Sequence, residues 1–225
     1  MYWEDEGFII SKKKFRENAI ILEVFTNKFG KVSGIVYGGT SRKIKNYLQL
    51  INKIFVVYKS KNENKIGYFS TELIEAISPK YFNNKKKILC LNSLCSILKI
   101  LLPENQAYQK IYNSLSELLN NFEKKNWLTY YINWELELIH GLGFGFEANP
   151  KNFSNLDTKK IFNITIDNIE YKIPTFLILK KFENVDSEDL AHALNFSRCL
   201  MENKFFNPNN IRFPHSRVLL ETQTL

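Results

Sequence analysis

Apolar and polar residues alternate through the first third of the chain. The segment "KVSGIVYGG" at 31–39 repeats with period two, the pattern of a strand with one buried face. "GFIISKKKF" at 7–15 begins apolar and turns basic, and "NAIILEVFT" at 18–26 is a β-branched and aromatic run with Glu23 on its polar face. Leu48, Leu50, Ile54, Val56 and Tyr58 continue the alternation, and "KIGYFSTELIEAI" at 65–77 closes it. Turns at 27–30, where Gly30 suits a positive φ, and at 61–64 separate the runs. Five strands in residues 7–77 predict a small barrel or sandwich, and a five-stranded barrel leaves no strand edge open.

The period then changes. "SPKYFNNKKK" at 78–87 reads as a linker. Beyond it Leu91, Leu94, Cys95 and Leu98 fall at helical spacing, and Pro103-Glu104 restarts the chain. A second stripe runs through Tyr108, Ile111, Tyr112, Leu115, Leu118 and Leu119, and a third through Trp127, Tyr130, Tyr131, Trp134, Leu138 and Ile139. That third stripe is core by default, and Trp134-Glu135-Leu136-Glu137-Leu138 predicts one buried and one solvated face. It ends at the glycines of "HGLGFGF", 140–146. "IFNITIDNIEYKI" at 161–173 predicts two short strands across Asp167-Asn168. "PTFLILKKF" fits neither period, and residues 186–206 predict a last helix capped by Asp186 or Ser187. The fold class is therefore α+β with two domains: 1–80, the five-stranded domain, and 81–225, mainly α-helical with a small inserted β-hairpin.

Charge changes this picture by dividing it. Residues 1–87 hold 17 Lys and Arg against 8 Asp and Glu, whereas residues 88–225 hold 14 against 15. A lysine-rich genome would raise both parts alike, so the asymmetry points to a polyanion-binding module joined to a near-neutral one. The cations cluster at Lys12, Lys13, Lys14 and Arg16, at Lys28 and Lys31, at Arg42, Lys43 and Lys45 behind the Gly38–Gly39 break, and at Lys59, Lys61 and Lys65. Gathered on one face, such groups would track a phosphate backbone. Aromatics are interleaved, among them Phe15, Phe25, Phe29, Tyr37, Tyr47, Tyr58 and Tyr68. Most belong to a core; Tyr37, beside the glycines, is the first candidate to stack on a base. The glycines either let a ligand approach the backbone or simply make a tight bend.

Enzyme chemistry finds little support. His140, His192 and His215 lie far apart, and there is no nucleophile elbow, zinc-protease motif or Walker A sequence. "GLGFGF" resembles a phosphate loop but follows a helical stripe rather than a strand. Cys90, Cys95 and Cys199 make an odd set without ligand spacing, so neither a disulfide framework nor a zinc site is expected, and a reducing cytoplasm fits. The acidic opening lacks the marks of a secretory leader, and the apolar run 88–102 is broken by Asn92, Ser93, Ser96 and Lys99, so no membrane span is expected.

Taken in order, several segments resemble the RecO family of bacterial recombination mediators: "WEDEGFII" (3–10), "ENAIILEVFTNKFGKVSGIVYGGTSRK" (17–43), "LLPENQAYQKIYNSL" (101–115), "WELELIHGLGFGF" (134–146) and "FPHSRVLL" (213–220). The resemblance implies an N-terminal OB-fold barrel and a C-terminal helical domain. It implies a non-enzymatic protein that binds single- and double-stranded DNA, anneals complementary strands, binds the acidic tail of single-stranded DNA-binding protein and, with the partner RecR, helps load RecA recombinase. Some members carry a zinc-binding cysteine cluster after the segment matching 143–146; none stands here between 147 and 175, so that hairpin region is expected to be zinc-less. Thr40 stands where a basic residue often follows the glycine pair, which leaves the contact to Arg42 and Lys43. The expected DNA-binding set is Lys12, Lys13, Lys14, Arg16, Lys31, Tyr37, Gly38, Gly39, Arg42, Lys43 and Lys45. The alternative readings are a protein-binding adaptor and an RNA-binding barrel without annealing activity.

Overall fold

The structure, a computed structural model, describes residues 1–61, 65–145, 160–179, 181–182 and 185–224. It divides into two compact units, Met1–Tyr112 with Pro214–Leu220, and Asn113–Phe213 with Glu221–Leu225. Strands and helices are mixed, as an α+β chain requires.

The first unit is built on five strands, β1 (Tyr2–Phe15), β2 (Ala19–Thr26), β3 (Gly30–Tyr37), β4 (Lys53–Lys59) and β5 (Gly67–Glu75). They close on themselves in the order β1-β2-β3-β5-β4. Closure depends on β1, which is long enough to pair twice. Its first half runs antiparallel to β4, from Tyr2 opposite Lys59 to Phe8 opposite Lys53, and its second half pairs with β2 as far as Phe15 opposite Ala19. The strand thus begins five residues before the apolar run at Gly7. Alternation is already present in the acidic opening, where Trp3 and Asp5 are buried while Tyr2 and Glu4 are exposed. The interior holds Trp3, Leu22, Val24, Val36, Val56, Tyr58 and Phe69, with Trp3 stacked on Phe29 at 4.2 Å and on Tyr58 at 4.9 Å between ring centroids. Each such side chain taken from water contributes about 1.5–3 kcal/mol.

The connection from β3 to β4 departs from the strand expected around Leu48 and Leu50. Arg42–Tyr47 forms a short helix, α1, and β4 starts only at Lys53. Leu48 and Ile51 are buried from the intervening loop, so their apolar character reflects packing rather than strand periodicity. Asn52 fixes this loop. Its Nδ2 donates to the Tyr47 carbonyl at 2.9 Å, and its buried Oδ1 accepts from the N–H of Ile77 at 2.8 Å and of Ser78 at 3.1 Å. Helix α2 (Lys85–Leu101) follows, capped by Asn84, whose side chain accepts from the Lys87 N–H at 3.1 Å. It buries Leu91, Leu94, Cys95 and Leu98 and lies against β1, where the Cys95 thiol reaches the Ile9 carbonyl at 3.8 Å. Burial pushes that thiol well above the ordinary range, so it is a packing residue.

Helix α3 (Gln109–Asn120) carries the division between the units. The second unit continues with α4 (Trp127–Ile139), β6 (Ile161–Ile166), β7 (Ile169–Pro174), α5 (Thr175–Leu179) and α6 (Ser187–Met201); the last helix, α7 (His215–Thr222), groups with the first unit as far as Leu220. Asp167 and Asn168 both take positive φ, 48° and 63°, as a two-residue hairpin turn demands. Asp186 caps α6, its carboxylate accepting from the Asp189 N–H at 2.8 Å. One expectation fails in α4. Glu135 is fully buried, not solvated, and accepts a 2.6 Å hydrogen bond from the Ser197 hydroxyl of α6. The neighbouring helix covers what the isolated α4 pattern leaves to solvent. The expected zinc-less region, 147–175, is described only from residue 160 onward; its earlier part lies outside the described residues.

Candidate nucleic-acid interface

At one end of the first unit three segments meet: the β1–β2 tip, the bend after β3, and α1. The Gly38 N–H donates to the Asn18 carbonyl at 2.7 Å, and the Ser41 N–H donates to the Gly38 carbonyl at 2.9 Å. Thr40 joins the bend to the tip, its hydroxyl reaching the Glu17 carbonyl at 3.3 Å and Asn18 Oδ1 at 3.2 Å. Thr40 therefore positions the neighbouring cations. The glycine pair makes the bend in two ways. Gly38 has φ +67°, whereas Gly39 is buried so closely that a Cβ there would lie 2.6 Å from Ile20 Cγ1.

Helix α1 is anchored by one side and charged on the other. Ile44 and Tyr47 pack against the interior cluster, and the Tyr47 hydroxyl bonds to Thr71 at 2.9 Å. Arg42, Lys43 and Lys45 are exposed. Lys12 arrives from β1, donating to the Leu48 carbonyl at 2.7 Å and to Gln49 Oε1 at 3.1 Å. Its pKa is lowered, first by desolvation and then by repulsion from Lys45, so the two ammonium groups share one neighbourhood. Arg16, at φ 56° in the tip, acts electrostatically on Tyr37. Among the described residues none of Lys12, Lys13, Lys14, Arg16, Arg42, Lys43 and Lys45 forms an ion pair with a carboxylate.

The expected set is not gathered whole. Lys12 and Lys14 stand opposite the interior residues Leu22 and Ile20, while Lys13 stands opposite Ile21 and faces the other way. Lys31 lies elsewhere. Its side chain is buried and its ammonium donates to the Lys99 carbonyl at 2.8 Å; burial lowers its pKa, against the attraction of Glu104 and Glu23. It sits at the start of β3, a strand's length from the bend at that strand's end, about 23 Å.

Tyr37 is exposed and stacks on Tyr68 of β5, with ring centroids 5.2 Å apart and planes at 23°. The Tyr68 phenol beside it holds the Tyr37 hydroxyl above its usual pKa, against the opposing charge of Arg16. Tyr68 was legible as an outward residue, since it lies between the inward Gly67 and Phe69; what the sequence lacked was the parallel β3–β5 pairing that brings it to Tyr37. Among the described residues there is no cluster of three or more His, Cys, Asp and Glu able to hold a metal ion, and no helix long and apolar enough to cross a membrane.

Comparison with known proteins adds independent findings. Residues 1–77 match the family model "Recombination protein O N terminal", and residues 84–210 match "Recombination protein O C terminal". The chain is 32% identical over 145 residues to the DNA repair protein RecO of Roseobacter denitrificans, covering 64% of this chain and 60% of that protein. It is 29% identical over 212 residues to that of Rickettsia canadensis, covering 91% and 87%, and 31% identical over 164 residues to that of Ehrlichia chaffeensis, covering 72% and 66%. The match spans about three-fifths of the length of the first curated relatives.

Proposed function

The chain belongs to the RecO family of DNA repair proteins, and from that premise we propose that it is a DNA-binding recombination mediator rather than an enzyme, with residues 1–80 forming an OB-fold that holds DNA at its basic end. The observation that carries this reading is the gathering of Lys12, Arg16, Arg42, Lys43 and Lys45 around the bend with no ion-paired carboxylate among the described residues. Five strands closing in the order β1-β2-β3-β5-β4 support the OB reading. Phosphates brought to this end release counterions as the cations neutralise them, which favours single and double strands alike. Annealing follows from the same charge. Two anionic strands repel each other, and a cationic surface between them lowers that repulsion.

The wider role proposed for the family extends to this chain: annealing complementary strands, and loading RecA, together with RecR, onto DNA coated by single-stranded DNA-binding protein. That protein's acidic tail would be held by the mainly helical residues 81–225. The work would be done in the cytoplasm, at the nucleoid during repair. Replacing Arg42, Lys43 and Lys45 together with Ala tests the DNA reading. Fluorescence anisotropy on a short oligonucleotide should record weaker binding and a salt slope smaller by about 2, at ~0.7 per phosphate contact on single strands. Affinity and slope both equal to those of the unaltered chain would reject this end of the barrel as the interface.

A further inference from the structure

The exposed tyrosines of the barrel form a row. Tyr2, Tyr37 and Tyr68 are 64%, 57% and 41% exposed. Tyr2 is the register partner of Lys59, Lys59 that of Tyr68, and Tyr68 that of Ile35, two residues before Tyr37 on the same face of β3. Their sequence neighbours Trp3, Tyr58, Phe69 and Val36 all point into the interior, so the row runs along the outer wall. It crosses β1, β4, β5 and β3, three strand spacings, or about 14 Å. Cations are set among the rings. The Lys59 ammonium lies 5.7 Å from the centroid of Tyr2, and the Arg16 guanidinium, whose charge reaches Tyr37, lies 5.1 Å over Phe15.

Phosphate binding alone needs no rings, and rings exposed in a row leave apolar faces in water. An apolar protein partner would be met by cations it cannot pair. A polynucleotide whose bases are unpaired satisfies both features, with bases stacked on the tyrosines and phosphates beside Lys59 and Arg16. A duplex presents only its backbone to such a wall. We propose that the Tyr2–Lys59–Tyr68–Tyr37 row is a stacking track for the bases of single-stranded nucleic acid, and that it gives the chain a preference for single over double strands. This rests on the proposal that the barrel binds DNA and adds a second, chemically different contact to it.

The test uses the full chain and three probes of equal length: a thymine oligonucleotide, an abasic oligonucleotide and a duplex. Tyr37→Ala and Tyr68→Ala should each weaken thymine binding about tenfold or more. The abasic and duplex affinities and the salt slope should not change. Tyr37→Phe and Tyr68→Phe keep the rings and should bind as the unaltered chain does. Thermal melting of each variant separates lost stacking from lost fold. Thymine binding unchanged in the Ala variants overturns the track, and is also the result expected if a protein covers the row. Equal loss on all three probes overturns it too. If those variants bind normally while the Arg42, Lys43 and Lys45 triple variant does not, the phosphate interface stands and only the track falls. Failure of the intact chain to bind any probe overturns both.

Discussion

The two ends of the β2–β3 hairpin use the same residue types in opposite ways. At the turn end, charged and polar groups are tied down. The Asp5 carboxylate accepts from the N–H groups of Lys28 at 2.7 Å and Glu6 at 2.9 Å, Thr26 Oγ1 donates to the Gly30 carbonyl at 3.1 Å, Lys53 pairs with Glu6 at 2.9 Å, and Lys31 is enclosed against the Lys99 carbonyl. At the bend end the backbone is bonded just as closely, but Arg42, Lys43 and Lys45 are left to solvent. One end uses charge to close the fold, and the other leaves its cations exposed, with no ion pair among the described residues. A count of lysines along the sequence does not separate the two; acidic partners and burial do.

The glycines of the two ends give the largest expected difference. Gly30 and Gly38 have nearly the same dihedral, φ +70° and +67°. A Cβ on Gly30 would lie 1.8 Å from the Gln106 carbonyl oxygen, whereas on Gly38 the nearest atom is Ile44 Cδ1 at 3.8 Å. Gly30→Ala should therefore cost at least about 4 kcal/mol, backbone clash added to strain. Gly38→Ala should cost only the left-handed penalty, about 1–2 kcal/mol. Urea unfolding of both variants measures the gap. Equal losses would mean that the turn end is no more tightly enclosed than the bend.

The lysines divide the ends at the next level. Lys31→Ala removes a buried hydrogen bond and the packing of its aliphatic stem, and should lower stability by about 1–2 kcal/mol while leaving the DNA salt slope intact. Lys12→Ala also removes hydrogen bonds, to Leu48 and Gln49, but should in addition weaken oligonucleotide binding several-fold and reduce the slope by about 0.7. Paired urea and anisotropy measurements read both. A changed salt slope in the Lys31 variant would return that residue to the interface from which its burial removes it.

That Lys31 was expected there at all marks where the sequence stops being informative. Local features were legible: the β-branched and aromatic run of β2, the period-two run of β3, the Asp167-Asn168 turn and the Asp186 cap each depend on residues within a few positions. Long-range features were not. Lys31 is enclosed by Lys99 and Glu104, some seventy residues onward. Glu135 is covered by Ser197, and a loop replaces the strand expected around Leu48 and Leu50 because Leu48 and Leu50 find a packed cluster that only the folded barrel provides. The cation cluster was half legible. Its members were named from charge runs, but the approach of Lys12 to Lys45 waits on the fold bringing Lys12 of β1 to Leu48 and Gln49, just after α1.

The same pair supplies the finest test, through pH. Desolvation first, and Lys45 second, hold the Lys12 pKa below the ordinary lysine value of 10.5. A polyanion bound beside it favours the charged form and raises that pKa, so above the lowered value binding must take up a proton. Affinity should therefore decline with rising pH, and begin to decline below the range of an ordinary lysine. Stability has the opposite sign. Between the lowered value and 10.5 the unfolded chain holds more of this proton, so Lys12 adds stability as pH rises. Lys12→Arg keeps its charge throughout and should flatten the affinity profile below the ordinary lysine value of 10.5, while Lys45→Ala should move the decline to higher pH. Anisotropy at constant ionic strength resolves the three curves. An identical decline in all of them would assign the proton to another group and separate Lys12 from the bound phosphate.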